Sequence, residues 1–145
     1  MSKIEDFLTA NEEQTIVSAI NLAEKNTSGE IRIHIEKSTN KPPLERALEV
    51  FYFLKMDATK LRNGVLIYVA VESKKFAIIG DEGINNKVPT DFWEGEKELA
   101  FSYFLKNEYA KGIELVIEKI GEKLKEFFPY TFDDVDELPN GISKG

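Results

Sequence analysis

The longest uninterrupted apolar run in the chain covers residues 65–71, with the sequence VLIYVAV. A strand that has no polar face is typical of a sheet covered on both sides, as in the central strands of α/β proteins. The run is also much too short to span a membrane, which needs about 20 apolar residues. These residues therefore predict a central β-strand between two layers of helices.

Two more strands are predicted around this one. Residues 30–37 alternate strictly between isoleucines and polar residues, which is typical of a half-buried strand. Its polar face carries Arg32, His34 and Glu36. After a short polar turn at residues 72–75, the apolar residues 76–79 are predicted to form a hairpin with the central strand.

Helical periodicity fills the segments between and after these strands. Thr9 and Glu12 have the spacing of a capping box, which predicts a helix over about residues 10–25. A proline pair at residues 42–43 favours the start of a second helix. Apolar stripes predict two further helices, the last of which ends at Pro129.

The predicted order is α-β-α-β-β-α-α. We expect one α/β domain over residues 1–145, a three-layer α/β/α sandwich with a small mixed β-sheet. Residues 130–145 are rich in acidic side chains and are predicted to form an irregular C-terminal tail.

Composition excludes several classes of function. The chain has no cysteine and one histidine, which excludes a disulfide framework, a thiolate zinc site and a cysteine nucleophile. Its net charge of −7 argues against a nucleic-acid partner, because such proteins bind phosphates through lysine and arginine. No secretory signal and no membrane span are recognisable. We expect a cytoplasmic monomer.

The predicted strand directions bring polar residues together at one end of the sheet. A helical crossover favours parallel pairing of the first two strands, and the short turn makes the third strand antiparallel to the second. The starts of the first two strands and the end of the third should therefore meet. These positions carry Glu30, Arg62, Asn63, Asp81 and Glu82, and Asp57 should lie nearby.

Carboxylates gathered in one place repel one another unless something neutralises them. A bound Ca²⁺ or Mg²⁺ would do so through oxygen ligands, and the Asn63 amide could add a neutral oxygen. Alternatively, Lys60, Arg62 and water compensate these charges, or the carboxylates point outward. The predicted metal ligands are Glu30, Asp57, Asn63, Asp81 and Glu82.

An acidic segment and the single histidine are two further candidate sites. Asp133, Asp134, Asp136 and Glu137 lie close together but lack the pattern of a calcium-binding loop, and we interpret them as a solvated tail. His34 could act as a proton shuttle. Since no serine and carboxylate stand at a recognisable spacing from it, we interpret it as a structural or surface histidine.

Four segments resemble a known family. They are SGEI at 28–31, RNGVLIYVA at 62–70, FAIIGDEGIN at 76–85 and FFP at 127–129. In this order and spacing the chain resembles a TPM domain and is similar to small stand-alone bacterial members. The resemblance covers nearly the whole chain and implies an α/β/α sandwich. Many members carry a signal peptide and a transmembrane tail, and this sequence shows neither.

The resemblance also implies a function. The family is associated with divalent cations held by acidic residues near the sheet end, which map here to Glu30, Asn63, Asp81 and Glu82, with Asp57 close by. Our leading hypothesis is a binding or accessory protein that holds Ca²⁺ or Mg²⁺, contacts other proteins and has no strong catalytic activity.

The alternative follows from the phosphatase label that the family often carries. It is a metal-assisted acid phosphatase that acts on phosphate monoesters, with Arg62 as a bidentate phosphate contact. A third hypothesis is a structural adaptor that works through its outer helices, although the sequence shows no broad exposed apolar stripe that would mark such a surface.

Overall fold

The fold is described from a computed structural model, which covers residues 7–130 and 142–144. In chain order these residues form α1 (Ala10–Glu24), β1 (Glu30–Glu36), α2 (Pro43–Phe53), β2 (Gly64–Ala70), β3 (Lys75–Gly80), α3 (Glu82–Asn85), α4 (Phe92–Phe104), α5 (Tyr109–Phe127) and β4 (Ile142–Lys144). None of the described helices is long and apolar enough to cross a membrane.

The four strands form one mixed sheet in the order β3-β2-β1-β4. β1 pairs in parallel with β2 and with β4, and β2 pairs with β3 in the antiparallel direction. The strand directions predicted for β1, β2 and β3 are therefore confirmed. So is the fold class, a mixed α/β sandwich with helices on both faces of the sheet.

Both faces of β2 are covered, as its apolar sequence predicts, and all seven of its residues are buried. On one face Val65, Ile67 and Val69 share a core with the three isoleucines of β1 and with residues of α1, α4 and α5. On the other face Leu66 and Tyr68 pack beneath α2, against Val50 and Phe51.

The local signals at the first helix behave as expected. Thr9 Oγ1 accepts a hydrogen bond from the Glu12 N–H at 3.1 Å, and the Glu12 carboxylate accepts one from the Thr9 N–H at 2.8 Å. Both halves of the capping box are therefore present. The two prolines also mark the start of a helix: Pro42 directly precedes α2, and Pro43 is its first residue.

Two short elements were missed. Ile142–Lys144 form β4, so the prediction of an irregular tail is wrong for these residues. Three residues are too few to show alternation, and their partner strand lies about a hundred positions earlier in the chain. The four-residue helix α3 follows β3 and was not predicted. The acidic residues Asp133, Asp134, Asp136 and Glu137 lie outside the described residues.

Candidate functional site

One end of the sheet carries a row of residues at the ends of three neighbouring strands, with Asp81 directly following β3. Glu30 pairs with Gly64, and the Asp81 N–H donates to the Gly64 carbonyl at 2.9 Å. Side chains opposite one another on neighbouring strands project from the same face of a sheet. Glu30 is 2% exposed and Asp81 is 6% exposed. Two buried carboxylates therefore flank a position that has no side chain.

The backbone that follows α2 passes over this row. A Cβ atom at Gly64 would lie 2.9 Å from the Met56 carbonyl oxygen, which is closer than real Cβ contacts allow. The absence of a side chain at Gly64 is thus what lets this carbonyl approach the strand. The row consequently contains a neutral backbone oxygen as well as the two acids.

Asn63 is buried beside the row, at 1% exposure. Its backbone N–H donates to Thr59 Oγ1 at 3.3 Å, and its backbone carbonyl accepts from the Glu30 N–H at 3.4 Å. The side-chain Nδ2 donates to Ser28 Oγ at 3.3 Å. With the amide nitrogen engaged in this way, Oδ1 is the atom of Asn63 that could bind a cation.

Arg62 holds the Asp81 carboxylate with two nitrogens. Nε lies 2.6 Å from Oδ2, and Nη2 lies 2.9 Å from Oδ1. The Asp81 Oδ1 atom also accepts the Glu82 N–H at 2.8 Å, which caps α3. Arg62 Nη1 lies 3.4 Å from a Glu82 carboxylate oxygen. Arg62 is therefore engaged by two acids.

A tight loop positions Arg62 for this contact. Its backbone has φ of 52°, in the left-handed region that costs a non-glycine residue energy. The Gly83 N–H donates to the Arg62 carbonyl at 2.8 Å. A Cβ atom at Gly83 would lie only 2.2 Å from the Leu61 carbonyl oxygen, so α3 can dock here only with glycine at that position.

The structure brings together some of the predicted metal ligands and separates others. Glu30, Asn63 and Asp81 are buried at the ends of neighbouring strands, with Asn63 just before β2 and Asp81 just after β3, whereas the Glu82 side chain is 67% exposed. Asp57 is half-buried and acts on Arg62 by charge alone. Within residues 7–130 and 142–144, no three acidic or histidine side chains are close enough to hold a metal ion.

The donor types nevertheless suit a hard cation, which prefers carboxylate, amide and carbonyl oxygens. What closes the arrangement to a cation is the guanidinium group of Arg62, which occupies the Asp81 carboxylate. In the structure Arg62 therefore compensates the charge of Asp81, as in the alternative to a metal site that the sequence left open. A cation that used Asp81 would have to displace Arg62.

A second polar cluster lies on the same face, along β1 toward its other end. His34 Nδ1 is 3.0 Å from Ser143 Oγ, and His34 Nε2 is 3.4 Å from Glu36 Oε1. The Arg46 side chain from α2 donates to both Glu36 oxygens at 2.8 Å. The hydroxyl of Tyr68, which is fully buried, also donates to Glu36. We call these five residues the β1 cluster.

Burial and hydrogen bonding fix the charge states in the β1 cluster. Burial alone would raise the pKa of Glu36, but hydrogen bonds from Arg46 and Tyr68 outweigh it and hold that pKa at about 2. Burial lowers the pKa of His34 below its ordinary value of 6.5, despite the opposing effect of Glu36. Burial and the bond to Glu36 raise the pKa of Tyr68. At neutral pH the cluster therefore contains an ionised Glu36 and a neutral His34.

Sequence reasoning missed this cluster because its members meet only through strand register. His34 pairs with Tyr68 on β2 and with Ser143 on β4, so the three lie in one row across the sheet. The histidine is 6% exposed, so it is a buried residue and not a surface one. Its serine and carboxylate partners were not recognised, because Ser143 lies in the stretch predicted to be irregular.

The outer surface of α2 is unexpectedly apolar. Leu44, Leu48 and Tyr52 recur every four residues and are 59%, 44% and 56% exposed, and Phe53 beside them is 82% exposed. This contradicts the expectation that no exposed apolar stripe is present. Such patches on a protein surface mark contacts with other molecules more often than chance.

Comparison with known proteins identifies the family. The TPM domain family matches residues 2–123, which is most of the chain. The chain belongs to the TPM domain family. This confirms the resemblance that residues 28–31, 62–70 and 76–85 indicated. No curated protein matches the chain.

Solved structures agree with this assignment. The chain is similar to the NMR structure of the BA42 protein from the psychrophilic bacterium Bizionia argentinensis, with 56% sequence identity, a TM-score of 0.90 and full coverage of both chains. It also resembles the N-terminal domain of a P. gingivalis protein, with a TM-score of 0.70 at 15% identity, covering 83% of this chain and 78% of that one.

A third TPM-like fold is the N-terminal domain of the cg2496 protein from Corynebacterium glutamicum. It has a TM-score of 0.64 at 13% identity, and the match covers 90% of this chain and 81% of that chain. At these low identities the last two similarities establish the fold alone.

Proposed function

We propose that this TPM-domain protein binds a divalent cation, Ca²⁺ or Mg²⁺, at the end of the sheet where Glu30, Asn63 and Asp81 lie. Its role would be that of a binding or accessory protein without strong catalysis. The observation that carries the proposal is the buried row in which two carboxylates flank Gly64 beneath the Met56 carbonyl oxygen. Taking carboxylates out of water is costly unless a positive charge is near them.

The proposed mechanism is an exchange of cations. Arg62 is the positive charge now bound to Asp81, and its side chain is 37% exposed at the surface. When the guanidinium leaves Asp81 it can be hydrated at the surface and keep its contact with Glu82, and the incoming cation replaces it as the partner of the buried carboxylate. A metal ion could then take the Asp81 carboxylate, with Glu30, the Asn63 Oδ1 atom and water as further ligands. Glu82, at the start of α3, and Asp57, in the connection after α2, would join only after these segments adjust.

Two variants with opposite expected effects test this exchange. We expect Asp81→Asn, which keeps the cap on α3, to weaken Ca²⁺ binding roughly tenfold or more. We expect Arg62→Gln to strengthen it, because the competing guanidinium is removed. Affinities come from two-dimensional NMR titrations of the metal-free protein with Ca²⁺ and then Mg²⁺. Glu49→Gln, an exposed acid on α2, is the control and should bind as the wild type does.

The titration also locates the site. Saturable shifts centred on residues 30, 63 and 80–85 support the proposal. Shifts confined to residues 133–137 would place binding in the acidic tail instead. Non-saturating changes throughout the spectrum, or equal affinity in Asp81→Asn and Arg62→Gln, would reject the cation site.

The metal-assisted phosphatase is the second candidate. The observation that favours it is that Arg62 is bound to Asp81, one of the proposed metal ligands. A cation that displaced Arg62 from Asp81 would leave a free guanidinium next to the metal. Guanidinium groups bind phosphate with two parallel hydrogen bonds, and the metal would polarise the phosphoryl oxygen. The test is turnover of a generic phosphate monoester with added Mg²⁺ or Ca²⁺. Activity that is lost in Arg62→Lys, while cation binding persists, would favour this candidate.

A protein partner is the third part of the proposal, and the apolar surface of α2 supports it. The expectation of a cytoplasmic monomer remains a prediction. Sedimentation equilibrium of the wild type and of Leu48→Lys would separate self-association through α2 from binding of a different protein.

A further inference from the structure

The pairing of β4 with β1 places a hydroxyl, an imidazole and a carboxylate in a chain of contacts. Ser143 Oγ lies 3.0 Å from His34 Nδ1, and His34 Nε2 lies 3.4 Å from Glu36 Oε1. A serine bound to a histidine, which is in turn oriented by a carboxylate, is the geometry of an activated nucleophile. From this geometry we propose that Ser143 is a nucleophile toward carboxylic esters, with His34 as its general base.

This inference does not rest on the proposed cation site. The row of Ser143, His34 and Tyr68 lies four residues along β1 from the row of Glu30 and Gly64. Neither Ser143 nor His34 is among the candidate metal ligands. Cation binding and serine reactivity can therefore succeed or fail separately.

The tautomer of His34 follows from its partners. An ionised Glu36 can only accept hydrogen bonds, so His34 Nε2 carries the proton and donates it to Glu36. Nδ1 is then the lone-pair nitrogen and accepts the Ser143 hydroxyl proton. This is the arrangement that a general base requires before it acts.

Glu36 is held as an orienting group. Arg46 donates to both of its oxygens at 2.8 Å, and Tyr68 donates to one of them. With three donated bonds the carboxylate stays ionised and fixed, so it positions His34 and stabilises the imidazolium that forms. Arg46 and Tyr68 act through Glu36 and are positioning residues.

Arg32 supplies a second observation that points to a ligand. Its Nε atom is buried, and none of residues 7–130 and 142–144 offers it a hydrogen-bond acceptor. Arg32 precedes His34 by two residues on β1 and projects from the same face. Buried donors without partners are rare and usually await a water or a ligand. The oxyanion that forms when Ser143 attacks an ester would be an acceptor for it.

The position of β4 allows a substrate to reach Ser143. β4 is an edge strand of the sheet, and Ser143 is only half-buried. Its hydroxyl is bound by His34 on the inner side, so an ester must approach from the sheet edge.

The chemical step balances without a further reactant. Ser143 Oγ attacks the carbonyl carbon, and His34 Nδ1 takes the hydroxyl proton. The bond between the carbonyl carbon and the leaving oxygen breaks, and His34 returns the proton to the departing alcohol. Water then attacks the acyl-serine by the same route, releases the carboxylic acid and restores Ser143.

The test uses the full chain and a fluorophosphonate probe, which reacts with activated serines by losing fluoride. Mass spectrometry of the digested protein locates the modification. We expect labelling at Ser143, no such labelling in Ser143→Ala, and a rate about 100-fold lower in His34→Gln, since general-base catalysis contributes about that much. The exposed Ser102, whose hydroxyl donates to the Leu99 carbonyl, is an internal control and should stay unmodified.

Three results would overturn the proposal: no labelling at Ser143, equal labelling of Ser143 and Ser102, or a His34→Gln variant that reacts at the wild-type rate. Amide NMR spectra establish that each variant is folded.

If His34→Gln does not fold, the pH dependence of wild-type labelling decides the matter. The charged groups around His34 are Arg32 and Glu36 on β1 and Arg46 on α2, with Tyr68 on β2. Because burial lowers the pKa of His34, the labelling rate should fall on acidification with a midpoint below 6.5. A rate that is independent of pH between 4 and 8 would exclude His34 as the base, so it would overturn the proposal.

Discussion

The molecule contains two arginine–carboxylate pairs of nearly the same geometry at opposite ends of one sheet face. Arg46 holds Glu36 through contacts of 2.8 Å and 2.8 Å, and Arg62 holds Asp81 through contacts of 2.6 Å and 2.9 Å. In both pairs the arginine is about one-third exposed and the acid is buried. Contact distances and exposure therefore do not distinguish them.

What differs is the charge of the neighbours. Glu36 is also bound by the neutral donor Tyr68 and contacts His34, so positive and neutral groups surround it. Each arginine is shared with an exposed acid, Arg46 with Glu49 at 3.2 Å and Arg62 with Glu82 at 3.4 Å. The buried Glu30 lies in the same row as Asp81, whereas Glu36 has the neutral side chains of His34 and Tyr68 beside it. Glu36 is therefore held by more donors than its arginine supplies, and the Asp81 end of the sheet carries a second buried carboxylate.

The largest expected effect concerns the Arg46–Glu36 pair. We expect Glu36→Gln to lower the free energy of unfolding at pH 7 by about 3 kcal/mol, because the neutral amide no longer pairs with the Arg46 charge and a pKa shift of this size carries that energy. Asp81→Asn should cost much less, since an asparagine oxygen keeps the cap on α3, whereas Glu36→Gln weakens the hydrogen bonds from both Arg46 and Tyr68. Urea denaturation followed by circular dichroism measures both. Equal losses would show that neighbouring charge does not separate the two pairs.

A methyl group at Gly64 tests how closely the Met56 carbonyl oxygen approaches the row that contains Asp81. Gly64→Ala should cost about 2 kcal/mol, since the new Cβ would lie 2.9 Å from the Met56 carbonyl oxygen. The control is Gly95→Ala in α4, where a Cβ would meet nothing within 4 Å. That change should be neutral or stabilise the protein by up to about 1 kcal/mol. If both alanines have the same effect, the close approach over the Glu30–Asp81 row is absent.

The smallest expected effect is the acid dependence of stability. The pKa of Glu36 is depressed to about 2, so its contribution is complete above its unfolded value of 4.5 and is lost as pH falls toward 2. By pH 3.5 the loss should be roughly 1 kcal/mol. The lowered pKa of His34 acts in the same direction and begins below 6.5. The difference in unfolding free energy between wild type and Glu36→Gln should shrink between pH 5 and 3.5, and a constant difference would contradict the assignment.

Most of the fold could be predicted because its signals are local. The apolar run at residues 65–71 requires cover on both sides, and the alternation at residues 30–37 defines which face of β1 is buried. The lengths of the connections then determine strand direction. The strand β4 has no such signal, since three residues gain stability only from a partner far away in the sequence.

Strand direction predicts where the candidate site lies but not which side chains contact one another there. Topology correctly places Glu30, Asn63 and Asp81 near one end of the sheet. It does not say that the rotamer of Arg62 reaches Asp81, or that Glu82 turns to solvent, because these depend on side-chain competition. The β1 cluster was out of reach for a different reason. Ser143, His34 and Tyr68 meet only after the register of two separate strand pairs is known.

One hydrogen-bonded chain at the sheet end has a practical consequence. Trp93 is the only tryptophan, and its Nε1–H donates to Asn85 at 2.7 Å, while the Asn85 side chain donates to the Gly80 carbonyl at 2.7 Å. Gly80 directly precedes Asp81. The indole ring is therefore connected by two hydrogen bonds to the residue beside the Arg62–Asp81 pair. Its fluorescence is an intrinsic probe of that end of the sheet, so a change in the Arg62–Asp81 contact can be followed in a stopped-flow experiment without attaching any dye.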